Sequence, residues 1–140
     1  MKRILVPLDG SDTSTRALRV AAERVRLANG ELHLLHVEPP MHYEEIRLYT
    51  AREDLEKVRA AASRRVLDAA AQVAAAEKVP HVEHLRHGEV AHTIADLVQA
   101  QNIEEVVMGT RGMGALGTLF LGSVAYRVVH LVHVPVTLVR

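Results

Sequence analysis

Glycine is concentrated in one segment of the sequence. Five of the eight glycines fall between Gly109 and Gly122, directly after a short apolar run. Because glycine costs conformational entropy, such a density indicates several positive φ angles or a backbone pressed against a ligand. Ser123 follows at the start of a predicted helix, where exposed amides and the helix dipole favour an anion. We therefore interpret the segment as a phosphate-binding loop, with a merely flexible loop as the alternative.

Two well-known nucleotide motifs do not account for this loop. The run from Gly112 to Gly117 matches G-x-G-x-x-G, but a dinucleotide site needs an acidic residue about twenty positions later. No Asp or Glu follows Glu105. A P-loop needs a lysine before its serine or threonine, and neither glycine followed by a hydroxyl residue offers one. The last part of the chain is therefore cationic, which suits a polyphosphate; its arginines are Arg111 and two expected surface charges, Arg127 and Arg140.

Strand and helix patterns alternate along the chain and position the loop. Apolar runs predict strands over residues 4–8, 32–37, 106–108 and 134–139, and a more polar run predicts one over 82–87. Because strands that alternate with helices require right-handed crossovers onto a parallel sheet, we predict one doubly wound α/β domain over residues 1–140.

Helical spacing predicts four helices between these strands. They run from Ser11 or Asp12 to Asn29, from about residue 44 to 78, from the region of Ile94 to Asn102, and from Ser123 to about Leu131. The long second helix is expected to bury a narrow apolar stripe. Its members are Leu55, Val58, Ala62, Val66, Ala69, Val73 and Ala76.

The composition excludes several classes of protein. Seventeen basic residues balance seventeen acidic ones, which leaves no electrostatic footprint for nucleic acid or anionic lipid. The chain has no cysteine, which excludes disulfides, zinc ribbons and thiol catalysis. No apolar run approaches the roughly 18 residues of a membrane span, and the first residues show no signal-peptide pattern. We expect a cytoplasmic domain with no nucleic-acid or membrane partner.

The spacing of three glycines and a serine resembles a family signature. Gly109-x2-Gly112-x9-Gly122-Ser123 is similar to the G-2x-G-9x-G-(S/T) signature of ATP-binding universal stress proteins. Other segments resemble the same family, so the resemblance covers the whole chain. They are Ile4–Ser11 at the first strand and its loop, Leu34–Val37 at the second strand, and Gly122–Ala125 with Val134–Val136 at the close.

The resemblance implies both a fold and a ligand. The fold is a five-stranded parallel sheet in the order 3-2-1-4-5, with helices on both faces and a ligand crevice between strands one and four. The ligand is ATP with Mg²⁺ or Mn²⁺, bound by a module of stress signalling. Asp9 would lie beside the nucleoside and Val37 would contact adenine through its backbone. The nucleotide-binding residues we predict are Pro7, Asp9, Val37, Met108, Gly109, Arg111, Gly112, Gly122, Ser123 and Val124.

Two other functions stay open at this point. Asp9 and Asp12 could hold a divalent cation against phosphate oxygens, which leaves a slow metal-dependent ATPase as one alternative. A ligand-free protein-interaction dimer is the other. No nucleophile elbow and only part of a phosphoryl-transfer clamp are visible, so we predict no catalytic residue. Residues 134–139 are apolar on both faces, and we expect two copies to pair through this strand, as the family commonly does.

Nine histidines raise the question of a metal site. His81, His84 and His87 are spaced by three, but the period of two in a strand sends His84 to the opposite face from the others. We therefore predict no metal site there. His33 and His36 also point to opposite faces of their strand and are expected at the edge of the core.

Overall fold

The computed structural model describes residues 1–42, 52–110 and 121–140. In these ranges strands and helices alternate, as the sequence patterns predict. Strands β1 to β5 span Arg3–Pro7, Glu31–Glu38, His81–His87, Glu105–Gly109 and Val136–Val139. Helices α1 to α4 span Asp12–Ala28, Arg52–Ala76, Val90–Ala100 and Ser123–Leu131. The start of the predicted second helix falls in residues 43–51, outside the described residues.

All five strands are parallel and form one sheet in the order β3-β2-β1-β4-β5. This confirms the predicted fold. β1 lies at the centre, with Leu5 opposite His33 of β2 and Val106 of β4. Ile4, Leu5 and Val6 are fully buried because both faces of the central strand are covered.

The side chains of β1 alternate between two hydrophobic cores. Ile4 and Val6 face the core that contains α1 and α2, whereas Leu5 faces the core that contains α3 and α4. Helices therefore cover both faces of the sheet. Each core depends on close packing, and truncating a buried leucine such as Leu5 to alanine costs about 2–5 kcal/mol.

Local chemistry sets both ends of α1. Ser11 is the N-cap, and its hydroxyl accepts a hydrogen bond from the amide of Ser14 at 3.1 Å. Asn29 ends the helix in the left-handed region, with φ of 53°. Gly30 follows where the chain presses against β1, because a Cβ at this position would lie 2.1 Å from the carbonyl oxygen of Lys2.

The apolar stripe predicted for α2 is wrong in part. Of the predicted stripe, Leu55 is buried, but Val58 is 48% exposed. One side chain of the observed face is polar: Ser63 donates a hydrogen bond to the carboxylate of Glu38 on β2. A search for apolar residues alone therefore selected a face displaced from the buried one. The buried residues of α2 are Leu55, Ser63, Leu67, Ala70 and Ala74.

A helix that spans a membrane must be both long and apolar. None of the helices in residues 1–42, 52–110 and 121–140 is long and apolar enough to cross one.

Candidate functional site

The candidate site lies at the carboxyl edge of the sheet, where β1 and β4 end side by side. After β1 the chain crosses to the face covered by α1, and after β4 it reaches α4 on the opposite face. The two connections therefore diverge and leave a crevice between them. In open α/β sheets this switch point is where ligands bind.

Asp9 and its neighbours form the β1 side of the crevice. Asp9 is exposed, and its carboxylate accepts a hydrogen bond from the amide of Ser11 at 2.9 Å. Gly10 has φ of +86°, a conformation that favours glycine and allows the chain to turn from β1 into α1. The carboxylate therefore has a structural role in the turn, and this turn fixes it at the surface beside the end of β1.

At the β2 side of the crevice, Val37 offers its backbone rather than its side chain. The Val37 side chain is 7% exposed and packs in the core with α3, so it is not available to a ligand. The carbonyl of Leu35 accepts a hydrogen bond from Leu8 on the β1 side, whereas that of Glu38 accepts one from Gly88 on the β3 side. Successive residues of β2 direct their backbone N–H and C=O groups alternately toward β1 and toward β3. Val37, two residues after Leu35, therefore directs its groups toward the β1 side, at a level beyond the last residue of β1.

Backbone hydrogen bonds place the start of α4 next to the end of β4. The amide of Thr110 donates to the carbonyl of Val139 at 2.9 Å, and the amide of Gly122 donates to the carbonyl of Thr110 at 2.6 Å. The two ends of the glycine-rich segment therefore meet at the crevice. Gly109 and Gly122 are half-buried there, and Ser123 is exposed.

The N-cap residue of α4 differs from those of α1 and α3 because it has no side chain. Gly122 is the N-cap residue and makes no side-chain cap hydrogen bond, whereas Ser11 caps α1 and Glu89 caps α3. The first-turn amides of a helix need acceptors from outside the helix, and these amides lie at the positive end of its dipole. This end of α4 is therefore suited chemically to an anion.

The structure brings most of the predicted site residues to this one edge. Arg111 and Gly112 lie outside the described residues. Met108 resembles Val37 in that its side chain is buried, at 5% exposure, so any ligand contact there also depends on backbone. The predicted residues found at the carboxyl edge are Pro7, Asp9, Val37, Met108, Gly109, Gly122, Ser123 and Val124. Ligand binding by these residues stays a prediction.

An ion-pair cluster joins the start of α3 to the middle of α4. Arg127 Nη1 lies 2.7 Å from a carboxylate oxygen of Glu89, whose other oxygen accepts from the amide of His92 at 2.8 Å. Burial alone would raise the pKa of Glu89, but hydrogen bonds from the backbone and ring of His92 outweigh it and hold that pKa below its ordinary value. Arg127 is therefore a paired surface charge, as expected. The sequence analysis missed Glu89 because glutamate is not a typical N-cap residue.

The histidines do not form a metal site in the described part of the chain. No group of three or more His, Asp or Glu side chains there could hold a metal ion. His84 lies against His33 of β2 rather than beside His81 or His87. A divalent cation at the crevice would need oxygen ligands from a bound phosphate as well as from carboxylates such as Asp9. Mg²⁺ is usually bound with nucleotides in this way.

Comparisons with known proteins agree with this architecture. The model of a family described as "Universal stress protein family" matches residues 1–140. The chain is 34% identical over 140 residues to the "Universal stress protein in QAH/OAS sulfhydrylase 3'region" of Thermus aquaticus, with 99% of this chain and 98% of that protein covered. It is 30% identical over 154 residues to universal stress protein YxiE of Bacillus subtilis, with the same coverages.

A solved structure extends the comparison to three dimensions. It is described as the universal stress protein from Archaeoglobus fulgidus in complex with dAMP. The TM-score is 0.76 and the sequence identity is 25%, with 100% of this chain and 98% of that chain covered. The similarity therefore runs from end to end of both chains.

Proposed function

Since the chain belongs to the universal stress protein family, we propose that it is an ATP-binding member that acts as a nucleotide-dependent module in stress signalling. The observation that carries the proposal is the N-terminus of α4, which begins at a glycine N-cap and is held by the Gly122–Thr110 hydrogen bond at the switch point between β1 and β4. The relative from Archaeoglobus fulgidus, which is described in complex with dAMP, supports an adenine nucleotide as the ligand class.

The triphosphate would lie at the start of α4. The amides of Gly122, Ser123 and Val124 and the Ser123 hydroxyl are donors that suit phosphate oxygens. Gly109, together with Arg111 and Gly112, would surround the ribose and the nearer phosphates, as in the family signature that they match. Mg²⁺ or Mn²⁺, where it accompanies the nucleotide, would share the phosphate oxygens with carboxylates at the start of α1.

The nucleoside would lie across the ends of β1 and β2. The backbone groups of Val37, directed past the end of β1, are hydrogen-bonding partners of the kind that an adenine edge needs. Pro7 and Met108 flank this position at the ends of β1 and β4, and Asp9 lies at its exposed side. Most of the grip would therefore come from main-chain atoms.

The proposal is tested by nucleotide uptake in Gly122→Val. The φ and ψ of Gly122, −62° and 152°, are values that valine adopts readily, so the variant adds a side chain at the phosphate position without backbone strain. Ala69→Val, on the exposed face of α2, is the matched control. Isothermal titration calorimetry with Mg-ATP should show binding to the native chain and the control, and at least about 10-fold weaker binding to Gly122→Val.

Two results would contradict the proposal. One is the absence of heat and of co-purified nucleotide in the native chain. The other is equal affinity in Gly122→Val and the native chain, which would place the ligand elsewhere.

We also propose that two copies pair through residues 134–139. β5 is an edge of the sheet, and its Leu138 is 37% exposed. On the adjoining α4, Tyr126 and Val129 are 57% and 45% exposed, which is more apolar surface than an isolated edge usually presents. Leu138→Asp should convert a sedimenting dimer to a monomer, whereas Val82→Asp, at the opposite edge on β3, should not. A native chain that sediments as a monomer at all concentrations would contradict this proposal.

A further inference from the structure

Two histidines pair in the interior between β2 and β3. His33 and His84 are 2% and 6% exposed, and their rings stack with centroids 5.1 Å apart. His33 Nδ1 lies 2.9 Å from His84 Nε2, and His33 Nε2 lies 3.0 Å from the carboxylate of Glu31. The three side chains therefore form a hydrogen-bonded chain that joins β2 to the edge strand.

The surroundings of the pair are mostly apolar. In the register of the sheet, His33 lies opposite Val82 and His84 lies opposite Leu35. Leu35 belongs to the hydrophobic core beneath α3. The buried residues of α3 itself are all apolar. A proton added to this pair is therefore poorly solvated.

Two arginines near the pair, Arg3 and Arg86, make a second proton still less favourable. The Glu31 carboxylate is shared with Arg3, whose Nε is 3.3 Å away, and the hydrogen bond from His33 holds the pKa of Glu31 below its ordinary value. Arg86, two residues after His84 on the same face, opposes a positive charge there. The titratable groups described on α3, on α4 and before β4 are exposed, among them His92, Asp96, Arg127, His130 and Glu104. His81, Glu83 and His87 lie on the other face of β3, and His36 and Glu38 lie on the other face of β2.

The positions of the protons follow from these contacts. An ionised carboxylate only accepts hydrogen bonds, so the neutral His33 carries its proton on Nε2. Its Nδ1 is then the acceptor for Nε2–H of His84. One added proton can be accommodated, because His33 can then donate from both nitrogens. When both rings are charged, two N–H groups face each other across 2.9 Å and the hydrogen bond between the two rings is lost. The ion pair between His87 of β3 and Glu38 of β2, at 3.0 Å, is a separate contact on the other face of the two strands.

We propose that the His33–His84 pair is a proton-sensitive clamp that holds the edge strand β3 on β2 at neutral pH and weakens this attachment in mild acid. β3 is an edge strand that pairs with β2 only, so its attachment to the sheet depends on a single ladder. The clamp lies at the centre of that ladder, between the pairs Leu32–His81 and Glu38–His87.

The sign and size of the effect follow from linkage. Burial, the charge of His33 and the charge of Arg86 lower the pKa of His84 from 6.5 to about 4. The contribution to stability is therefore complete above the unfolded pKa and is lost as the pH falls from 6.5 toward the folded value. Between about pH 7.5 and about pH 5, the equilibrium constant that keeps the strand attached should fall about 30-fold.

The test is hydrogen exchange of the β3 amides at these two pH values, corrected for intrinsic exchange rates. In the native chain, the protection factors of the β3 amides should fall about 30-fold between the higher and the lower pH, and those of the β1 amides should fall less. His84→Gln keeps a donor near Nε2 without a titrating group, so its loss should be about 3-fold or less. His81→Gln, on the opposite face of the same strand, should behave like the native chain.

A second measurement does not depend on the variant. Nitrogen-15 spectra of the imidazole rings in the native chain should show His84 as the Nε2–H tautomer at about pH 7.5. At about pH 5 its ring should still be neutral. Titration of His84 near 6.5, or the same loss of β3 protection in His84→Gln as in the native chain, would overturn the proposal.

Discussion

The carboxylate of Glu105 is the centre of a buried charge network at the amino end of the sheet. Glu105 begins β4 and is 4% exposed. Its oxygens accept hydrogen bonds from Lys2 Nζ at 3.1 Å, from the Thr137 hydroxyl at 2.8 Å, and from Arg24 of α1. One side chain therefore links the start of β1, α1, β4 and β5.

The cost of breaking this network should depend on which partner is removed. The side chains of Lys2 and Arg24 are 38% and 43% exposed, whereas that of Glu105 is 6% exposed. In Glu105→Gln the two cations regain water, and we expect a loss of about 1–2 kcal/mol. In the double variant Lys2→Met/Arg24→Met a buried carboxylate keeps only Thr137, and we expect a loss of about 3–5 kcal/mol.

The same network predicts a pH dependence. Burial alone would raise the pKa of Glu105, but hydrogen bonds from Thr137 and Lys2 and the charge of Arg24 outweigh it and hold the pKa below its ordinary value of 4.5. A carboxyl with a lowered folded pKa stabilises the fold above 4.5, and that stabilisation is lost as the pH falls through the folded value. The double variant removes the cations, so its carboxyl should instead gain stability from protonation.

Guanidinium denaturation of the native chain, Glu105→Gln and the double variant, near pH 7 and near pH 4, measures both the loss of stability and its pH dependence. The double variant should be the least stable near pH 7, and its deficit relative to the native chain should shrink near pH 4. The contribution of His84 is common to all three chains and cancels in these differences. A larger loss in Glu105→Gln than in the double variant would refute the assignment of the carboxylate as the poorly solvated partner.

Two further changes test the local structure around α1, each by denaturation against the native chain. Ser11→Ala removes the hydroxyl that accepts from Ser14 and should cost about 1 kcal/mol, and an unchanged midpoint would contradict the cap assignment. Gly30→Ala forces a Cβ to within 2.1 Å of the Lys2 carbonyl oxygen, so the connection between α1 and β2 must shift, at a cost of about 1–3 kcal/mol or more. A Gly30→Ala chain as stable as the native one would show that this close approach is not needed.

The fold was predictable because periodicity and glycine placement agree along most of the chain. The continuous apolar run of β1 indicated a strand covered on both faces, and the structure buries Ile4, Leu5 and Val6 completely. The stripe on α2 was not predictable in the same way. Alanines occur on all sides of this helix, so composition does not mark the buried face, and Ser63 reaches that face because of a partner 25 residues away.

Contacts that depend on strand register were also hidden from the sequence. His33 and His84 are 51 residues apart, and only the parallel register of β2 and β3 brings their rings together. Period-two alternation correctly placed His84 on the opposite face of β3 from His81 and His87. It could not show that the ring of His33 on β2 lies against His84. The candidate site was easier to place, since strand ends that follow apolar runs converge in any parallel sheet.

The central claim is that main-chain amides at the start of α4 and the end of β4 hold a nucleotide. Amide proton–nitrogen spectra recorded while Mg-ATP is added measure this at single residues. We predict saturable shifts at Gly109, Gly122, Ser123 and Val124 that exceed those at β3. Spectra in which these four amides stay fixed while the nucleotide reaches millimolar concentration, or in which the shifts gather at β3 instead, would contradict the claim.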